Sequence, residues 1–372
     1  VKPFRAVRFD PERAGPLEKL VAPPHDVVAR ELRRRLLAAS PYNVIRLTQP
    51  ASPREAGELY RAWQAEGLLV RDATPAVWIL EETFAGPAGE PRTRRGLVAR
   101  IRVTPYGEGD VFPHERTFRQ QKRVRLDLLR EVGAKLSPVL LLHDGTTPPD
   151  PDGRPPDLDV EFAGVRNRLW RVDDPAAVAR TLDAVRPPFV IADGHHRYET
   201  ALRFHEEQGG EETAYLLAAL VARDDPGLVI RATHRLASEP LPELPFPVTE
   251  LGDGAAEAIA RLAEAPRDRP AFARLRAVDS VFVEAEPVGG AAGVLDTAVV
   301  DSLGLHGVRY TADAAEAERA VRTGEAGAAF LVRAPTVDQV EAVALAGETM
   351  PEKSTYFHPK LTSGLLISPF DE

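Results

Sequence analysis

A chain of 372 residues is longer than a usual single domain, so two packed lobes are expected, and its 44% hydrophobic and 28% charged residues exclude a wholly disordered or collagen-like polymer. With 47 basic against 56 acidic residues the net charge is −9, which argues against broad electrostatic adhesion to nucleic acid or anionic lipid and favours small-molecule partners. The absence of cysteine removes disulfides, thiolate nucleophiles and cysteine metal clusters together, leaving His, Asp, Glu, Lys, Arg and hydroxyls for any chemistry.

The first residues, Val1-Lys2-Pro3-Phe4-Arg5, lack the apolar core of a secretory signal. No run approaches the roughly 20 apolar residues of a spanning helix. A cytoplasmic protein without a membrane partner is therefore expected. Ala22-Pro23-Pro24-His25-Asp26-Val27-Val28 reads as a rigid loop, because its prolines forbid a helix. Helices are expected over 29–39 and 53–67, then strands over 76–80 and 96–103 joined as a hairpin by the turn-rich 84–89. A helix over 119–133 precedes an apolar strand over 137–142. The Pro-, Gly- and Asp-rich 145–156 reads as an exposed loop or lobe boundary. A buried strand over 188–192 leads through the polar turn 193–197 into a helix over 198–208. Strands over 215–221 and 228–231 follow, and the proline-rich 240–247 reads as a link to an acidic, alanine-rich lobe with a helix over 312–323 and a strand over 328–332. Strands and helices without a strict βαβ rhythm predict a mixed sheet, hence an α+β fold with flanking helices.

Chemistry concentrates in a few places. Asp193-Gly194-His195-His196-Arg197 sits between a buried strand and a helix. Its glycine permits a tight turn, and the helix-start N–H groups with Arg197 make an anion pocket suited to phosphate. Asp193 is placed to hold Mg²⁺ or accept a proton; the bland alternative is an N-cap with surface histidines and a salt bridge. Pro113-His114-Glu115-Arg116-Thr117 sets a carboxylate beside an imidazole at a helix start, where Glu115 would take a proton from a hydroxyl or merely belong to a cap. No histidine follows three residues after Glu115, so this is not a zinc protease motif. Lys353-Ser354-Thr355, with His358-Pro359-Lys360 after it, combines cations and hydroxyls as phosphate clamping needs. Thr233-His234-Arg235 is a weaker candidate, and His25 is a bystander by default. Only six of the 47 basic residues are lysines, at 2, 19, 122, 135, 353 and 360. Under such arginine bias, a retained lysine marks a place that needs a compact, desolvatable ammonium. No P-loop, no G-x-G-x-x-G after a strand, no kinase H-R-D and no G-x-S-x-G occurs.

The pieces Ala22-Pro23-Pro24-His25-Asp26-Val27, Pro41-Tyr42-Asn43, His114-Glu115-x-Thr117, Asp193-Gly194-His195-His196-Arg197-Tyr198, Thr233-His234-Arg235 and Met350-Pro351-x-Lys353-Ser354-Thr355-Tyr356-Phe357 resemble domain-of-unknown-function family 1015 over the whole chain. From about residue 105 onward the chain is also similar to archaeal free serine kinase, of the ParB/sulfiredoxin-like superfamily, through three motifs in the same order. That resemblance implies Glu115 as general base and Asp193 at the reacting centre with Mg²⁺. It implies Gly194, His195, His196 and Arg197 on nucleotide phosphates, joined by Lys353, Ser354 and Thr355, and leaves His114, Thr117, His234 and Arg235 for the substrate. Tyr356 and Phe357 depart from the Arg and His of the kinase tail, Tyr198 stands for its tryptophan, and Val124 and Lys135 replace the Asp and Asn expected of the family.

The organisation implied is an N-terminal extension packed on the core over 1–104, a ParB/sulfiredoxin-like catalytic core over 105–238, an α/β lobe over 239–345, and a C-terminal segment over 346–372 returning to the active site. The expected function is nucleotide-dependent transfer of a phosphoryl group from ATP or ADP, with Mg²⁺, to the hydroxyl of free L-serine or a similar metabolite. Glu115, Asp193 and Lys353 would then serve one phosphoryl group. Two alternatives are a ParB-like nucleotide switch and a His/Asp metal-dependent phosphoesterase using His114, Asp193, His195 and His196.

Overall fold

The computed structural model describes residues 1–87, 89–115, 119–151, 153–252 and 254–370, and of 119–123 the backbone. The protein is mixed α+β and divides into two compact units. One comprises Val1–Pro113, Thr117–Leu228 and Pro359–Glu372, the other His114–Arg116 and Val229–His358. Among the described residues no helix is long and apolar enough to cross a membrane.

The first unit is built on eight strands in the spatial order Val111–Phe112, Phe189–Asp193, Val139–His143, Tyr215–Ala222, Pro91–Arg102, Val77–Ala85, Val165–Val172, Leu158–Phe162. Two neighbouring pairs are parallel, Phe189–Asp193 with Val111–Phe112 and Tyr215–Ala222 with Val139–His143, and the other pairs are antiparallel. Alternate residues of the central strands share one face, since successive side chains of a strand point to opposite sides. Leu97, Ala99 and Ile101 thus meet Val139 and Leu141, Phe189 and Ile191, and Leu216, Ala218 and Leu220 in a single buried cluster, which Tyr198 and Ala201 of the helix His195–Gln208 cover. A second cluster gathers Phe9, Leu20, Ile45, Tyr60, Trp63, Leu128 and Ile367 from the amino-terminal segments, the helix Arg119–Val132 and the chain end.

The hairpin expected around 84–89 forms, with Trp78 opposite Val98 and Ala85 opposite Pro91. Its two strands are internal to the large sheet, so residues 1–104 belong to the same unit as the chain that follows and are not an extension laid upon it. The loop 145–156 likewise runs between two strands of this one sheet.

The second unit carries a six-stranded sheet in the order Thr249–Glu250, Ser280–Glu284, Ala271–Leu275, Ala328–Val332, His234–Ala237, Arg309–Thr311, all paired antiparallel. Both faces are apolar. Ala273, Leu275, Ala329 and Leu331 pack with Ala258, Leu262 and Ala317 on one side, while Phe272, Ala328, Phe330 and Val332 pack with Val299 and Val300 on the other. The unit starts at Val229, before the proline-rich 240–247, because the strand His234–Ala237 already bonds into this sheet. Proline there marks a loop within the unit; it reports local backbone geometry and not the ladder that crosses it.

Candidate functional site

In the first unit the strand Phe189–Asp193 ends on Asp193 and the helix begins two residues later at His195. The polar turn read from sequence is therefore one glycine long, and His195, His196 and Arg197 form the first helical turn. Gly194 makes this possible: its φ is +98°, a left-handed conformation that side-chain-bearing residues rarely adopt, and a Cβ there would lie 2.9 Å from the guanidinium carbon of Arg197. The helix start has no side-chain cap and no acidic residue in its first turn.

Asp193 is buried, and both of its oxygens are engaged. Lys360 Nζ donates to Oδ1 and Arg197 Nη2 to Oδ2, while Arg197 Nη1 donates to the Pro138 carbonyl. Burial pushes the carboxyl up, but Lys360, Arg197 and then His195 outweigh it and hold Asp193 well below the ordinary carboxylate range. A carboxylate so committed is a poor proton acceptor. The Mg²⁺ expected at Asp193 fares no better. Among the described residues no three His, Asp or Glu side chains gather as a metal-binding group. These residues fit a carboxylate neutralised by two cations, not a resident divalent ion, and Lys360 and Arg197 supply the positive charge there.

Sequence reasoning grouped Lys360 with the phosphate-clamping tail without foreseeing Asp193 as its partner, and it left His25 as a bystander. The turn His25–Val27 is pinned by Gln49 Nε2, which donates to the carbonyls of His25 at 2.6 Å and Val28 at 3.3 Å. Burial, then the charges of Arg125 and Arg197, drive the His25 imidazole down to about 2, so it is neutral at working pH. The make-up of that tail and the scarcity of lysine were the sequence signals that pointed towards Lys360.

In the second unit, two motifs some 240 positions apart are brought together. His114 is 1% exposed; its Nε2 shares a hydrogen bond of 3.0 Å with Thr355 Oγ1, and its carbonyl accepts from the Met350 amide at 2.8 Å. Glu115 follows, half-buried. Ser354 is spent internally, its hydroxyl bonded to Thr297 Oγ1 at 2.9 Å and to the Pro351 carbonyl at 2.8 Å. Lys353 is exposed, with a φ of +54°. Arg235 holds that backbone. Fully buried and ion-paired to Asp301 at 3.0 Å, it donates to the carbonyls of Glu352 at 3.1 Å, Lys353 at 3.4 Å and Thr233 at 2.6 Å. Its guanidinium is thus consumed in shaping the Lys353 loop, which corrects the expectation that Arg235 binds substrate. His234 is corrected likewise. Buried in its strand, it accepts from the Val332 amide at 3.3 Å through Nδ1, and burial and Arg235 lower it to about 4. Thr117 lies outside the described residues.

The structure therefore places Glu115, His114, Lys353, Ser354 and Thr355 in one unit, and Asp193, Gly194, His195, His196, Arg197 and Lys360 in the other.

Residues 1–247 match the family described as protein of unknown function, DUF1015. The chain belongs to that family. No functionally curated protein matches it. Among solved structures this DUF1015 chain is similar to a conserved hypothetical protein from Pyrococcus furiosus, at 16% identity over 73% of this chain and 95% of that one with a TM-score of 0.40. It is similar to a free serine kinase in complex with AMP, at 16% identity over 70% and 86% with a TM-score of 0.41. A third is SbnI with a C-terminal truncation from Staphylococcus aureus, at 12% identity over 73% and 87% with a TM-score of 0.39.

Proposed function

We propose that the DUF1015 chain is a nucleotide-dependent small-molecule kinase, moving a phosphoryl group from ATP or ADP to the hydroxyl of free L-serine or a similar hydroxy metabolite. The observation that carries this reading is the hydrogen bond between His114 and Thr355, which fixes the Glu115 segment against the Lys353–Thr355 loop. A carboxylate base beside a cation-bearing loop is what phosphoryl transfer asks of a protein, since positioning and charge stabilisation do most of the work.

In this mechanism the acceptor oxygen attacks the terminal phosphorus and its proton passes to the Glu115 carboxylate. The bond from that phosphorus to the bridging oxygen breaks, and the shortened nucleotide leaves with the electron pair. Lys353, on its arginine-held loop, offsets charge on the transferring group. His195, His196 and Arg197 bind phosphate oxygens at the start of their helix, and Lys360 with Asp193 fixes Arg197. His114 and Ser354 are positioning residues. The ParB/sulfiredoxin-like reading of the core belongs to this proposal and rests on the same motifs.

The test is direct. The purified chain is incubated with MgATP or MgADP and a panel of hydroxy amino acids and hydroxy acids, and phosphorus NMR follows the products. A new phosphomonoester resonance with L-serine or another panel member is expected. Nucleotide bound without any phosphorylated product would replace the kinase reading with that of a nucleotide-binding switch.

A further inference from the structure

A cleft within the first unit opens to solvent and holds about 600 Å³ of space, its open side included. Its polar lining side chains include His25, Thr48, Arg125, Lys135, His196 and Arg197. No Asp or Glu is among its described lining residues. Leu128, Leu136 and Leu216 give it an apolar wall. Two of the polar groups are buried and lack a hydrogen-bond partner among the described residues. Thr48 is 3% and Lys135 5% exposed, yet neither Thr48 Oγ1 nor Lys135 Nζ meets a hydrogen-bond partner among the described residues. Such orphans cost stability unless something bonds them. Arg125 spends one N–H on the Thr48 carbonyl, at 2.7 Å.

We propose that this cleft binds a phosphate-bearing small molecule, with His25, Thr48, Arg125 and Lys135 serving beside His196 and Arg197. The proposal rests on the phosphate role given above to His196 and Arg197, and adds four ligands, two of them from the first 104 residues. Arg125 is a cation that no lining carboxylate balances, Arg197 already pairs with Asp193, and Lys135, brought down to about 7 by burial, takes up its full charge beside an anion. Neutral His25 can donate one N–H without adding charge, and the Thr48 hydroxyl another hydrogen bond, so the donors outnumber what a single carboxylate accepts. A phosphate dianion or a diphosphate meets that count. The leucine wall provides for an organic body attached to it.

The test is isothermal titration of the full chain with pyrophosphate, ADP and O-phospho-L-serine at fixed ionic strength. At least one probe is expected to saturate, and the Arg125→Gln and Thr48→Val variants to weaken it, the former by about tenfold or more, while the exposed Arg203→Gln leaves it unchanged. ADP binding tighter than pyrophosphate would place a nucleoside on the leucine wall. Phosphoserine binding tighter than both would place a phosphorylated metabolite there. As a measurement free of variants, the ring proton resonances of His25 in the wild-type chain should move on saturation. The proposal fails if no probe binds below about 1 mM, if folded Arg125→Gln binds as tightly as wild type, or if the His25 resonances stay still at saturation. A chain that binds as described but yields no phosphomonoester contradicts the kinase reading and leaves this site standing; turnover with unaltered affinity in Arg125→Gln contradicts the site alone.

Discussion

Lys135 is a lysine where burial and the nearby Arg100 charge bring the amine down to about 7. Its Nζ lies 4.8 Å from the Phe370 ring centroid and 5.5 Å from that of Phe204. The depressed folded pKa means that between about pH 7 and the ordinary lysine range the unfolded chain holds a proton that the folded chain lacks. Stability linked to this group therefore rises with pH across that window and is lowest below it. Lys135→Met is expected to stabilise the protein at pH 6.5 by about 1–3 kcal/mol, with the gain shrinking towards pH 10. Urea midpoints of both proteins at the two pH values check this, and an equal gain at both would refute it. Gly194 gives a second prediction. Gly194→Ala should cost about 1–2 kcal/mol from the left-handed backbone alone and also displace Arg197, so urea titration should show the loss even without ligand. Gly194 was legible, because a glycine between a strand and a polar helix start has few other uses. The pairing of Lys360 was not: its partner, Asp193, is 167 positions away, and no local pattern encodes such a contact.

Across the long hairpin, Glu82 faces Arg94 in register, and both side chains are 1% exposed. Arg94 donates to Glu82 at 2.6 and 2.9 Å and to the Pro359 carbonyl at 2.9 Å, one residue before the lysine that holds Asp193. Burial raises the Glu82 pKa despite Arg94. Removing one partner strands a buried charge, so Arg94→Met should destabilise by about 3–5 kcal/mol. Adding Glu82→Gln to that variant should restore part of the loss, because the stranded charge goes with it; a double-mutant cycle by urea denaturation measures this, and strict additivity would contradict it. The hairpin itself was readable from two apolar runs around a Gly-Pro turn. The charged pair inside it was not, since alternation predicts which residues share a face but not that both faces are covered.

At the level of the whole chain, length indicated two units and the interspersed order of strands and helices indicated a mixed α+β architecture. The boundary was misplaced at 240–247 because proline density marks loops, whereas the strand ladder that decides membership lies just before it. The three motifs were legible as chemistry. Their distribution, with Glu115 and Lys353 in one unit and Asp193 in the other, was not, because residues 229–358 and 114–116 join in space through contacts that span more than a hundred positions. Whether the chain transfers phosphoryl groups is decided most directly by comparing wild type with Glu115→Gln in the phosphorus NMR assay, at nucleotide concentrations that saturate both. The account predicts phosphomonoester formation by wild type and a rate about 10²–10⁴-fold lower in the variant, with nucleotide affinity retained. Equal rates in the two proteins, or no product from a folded wild type that binds nucleotide, would contradict it.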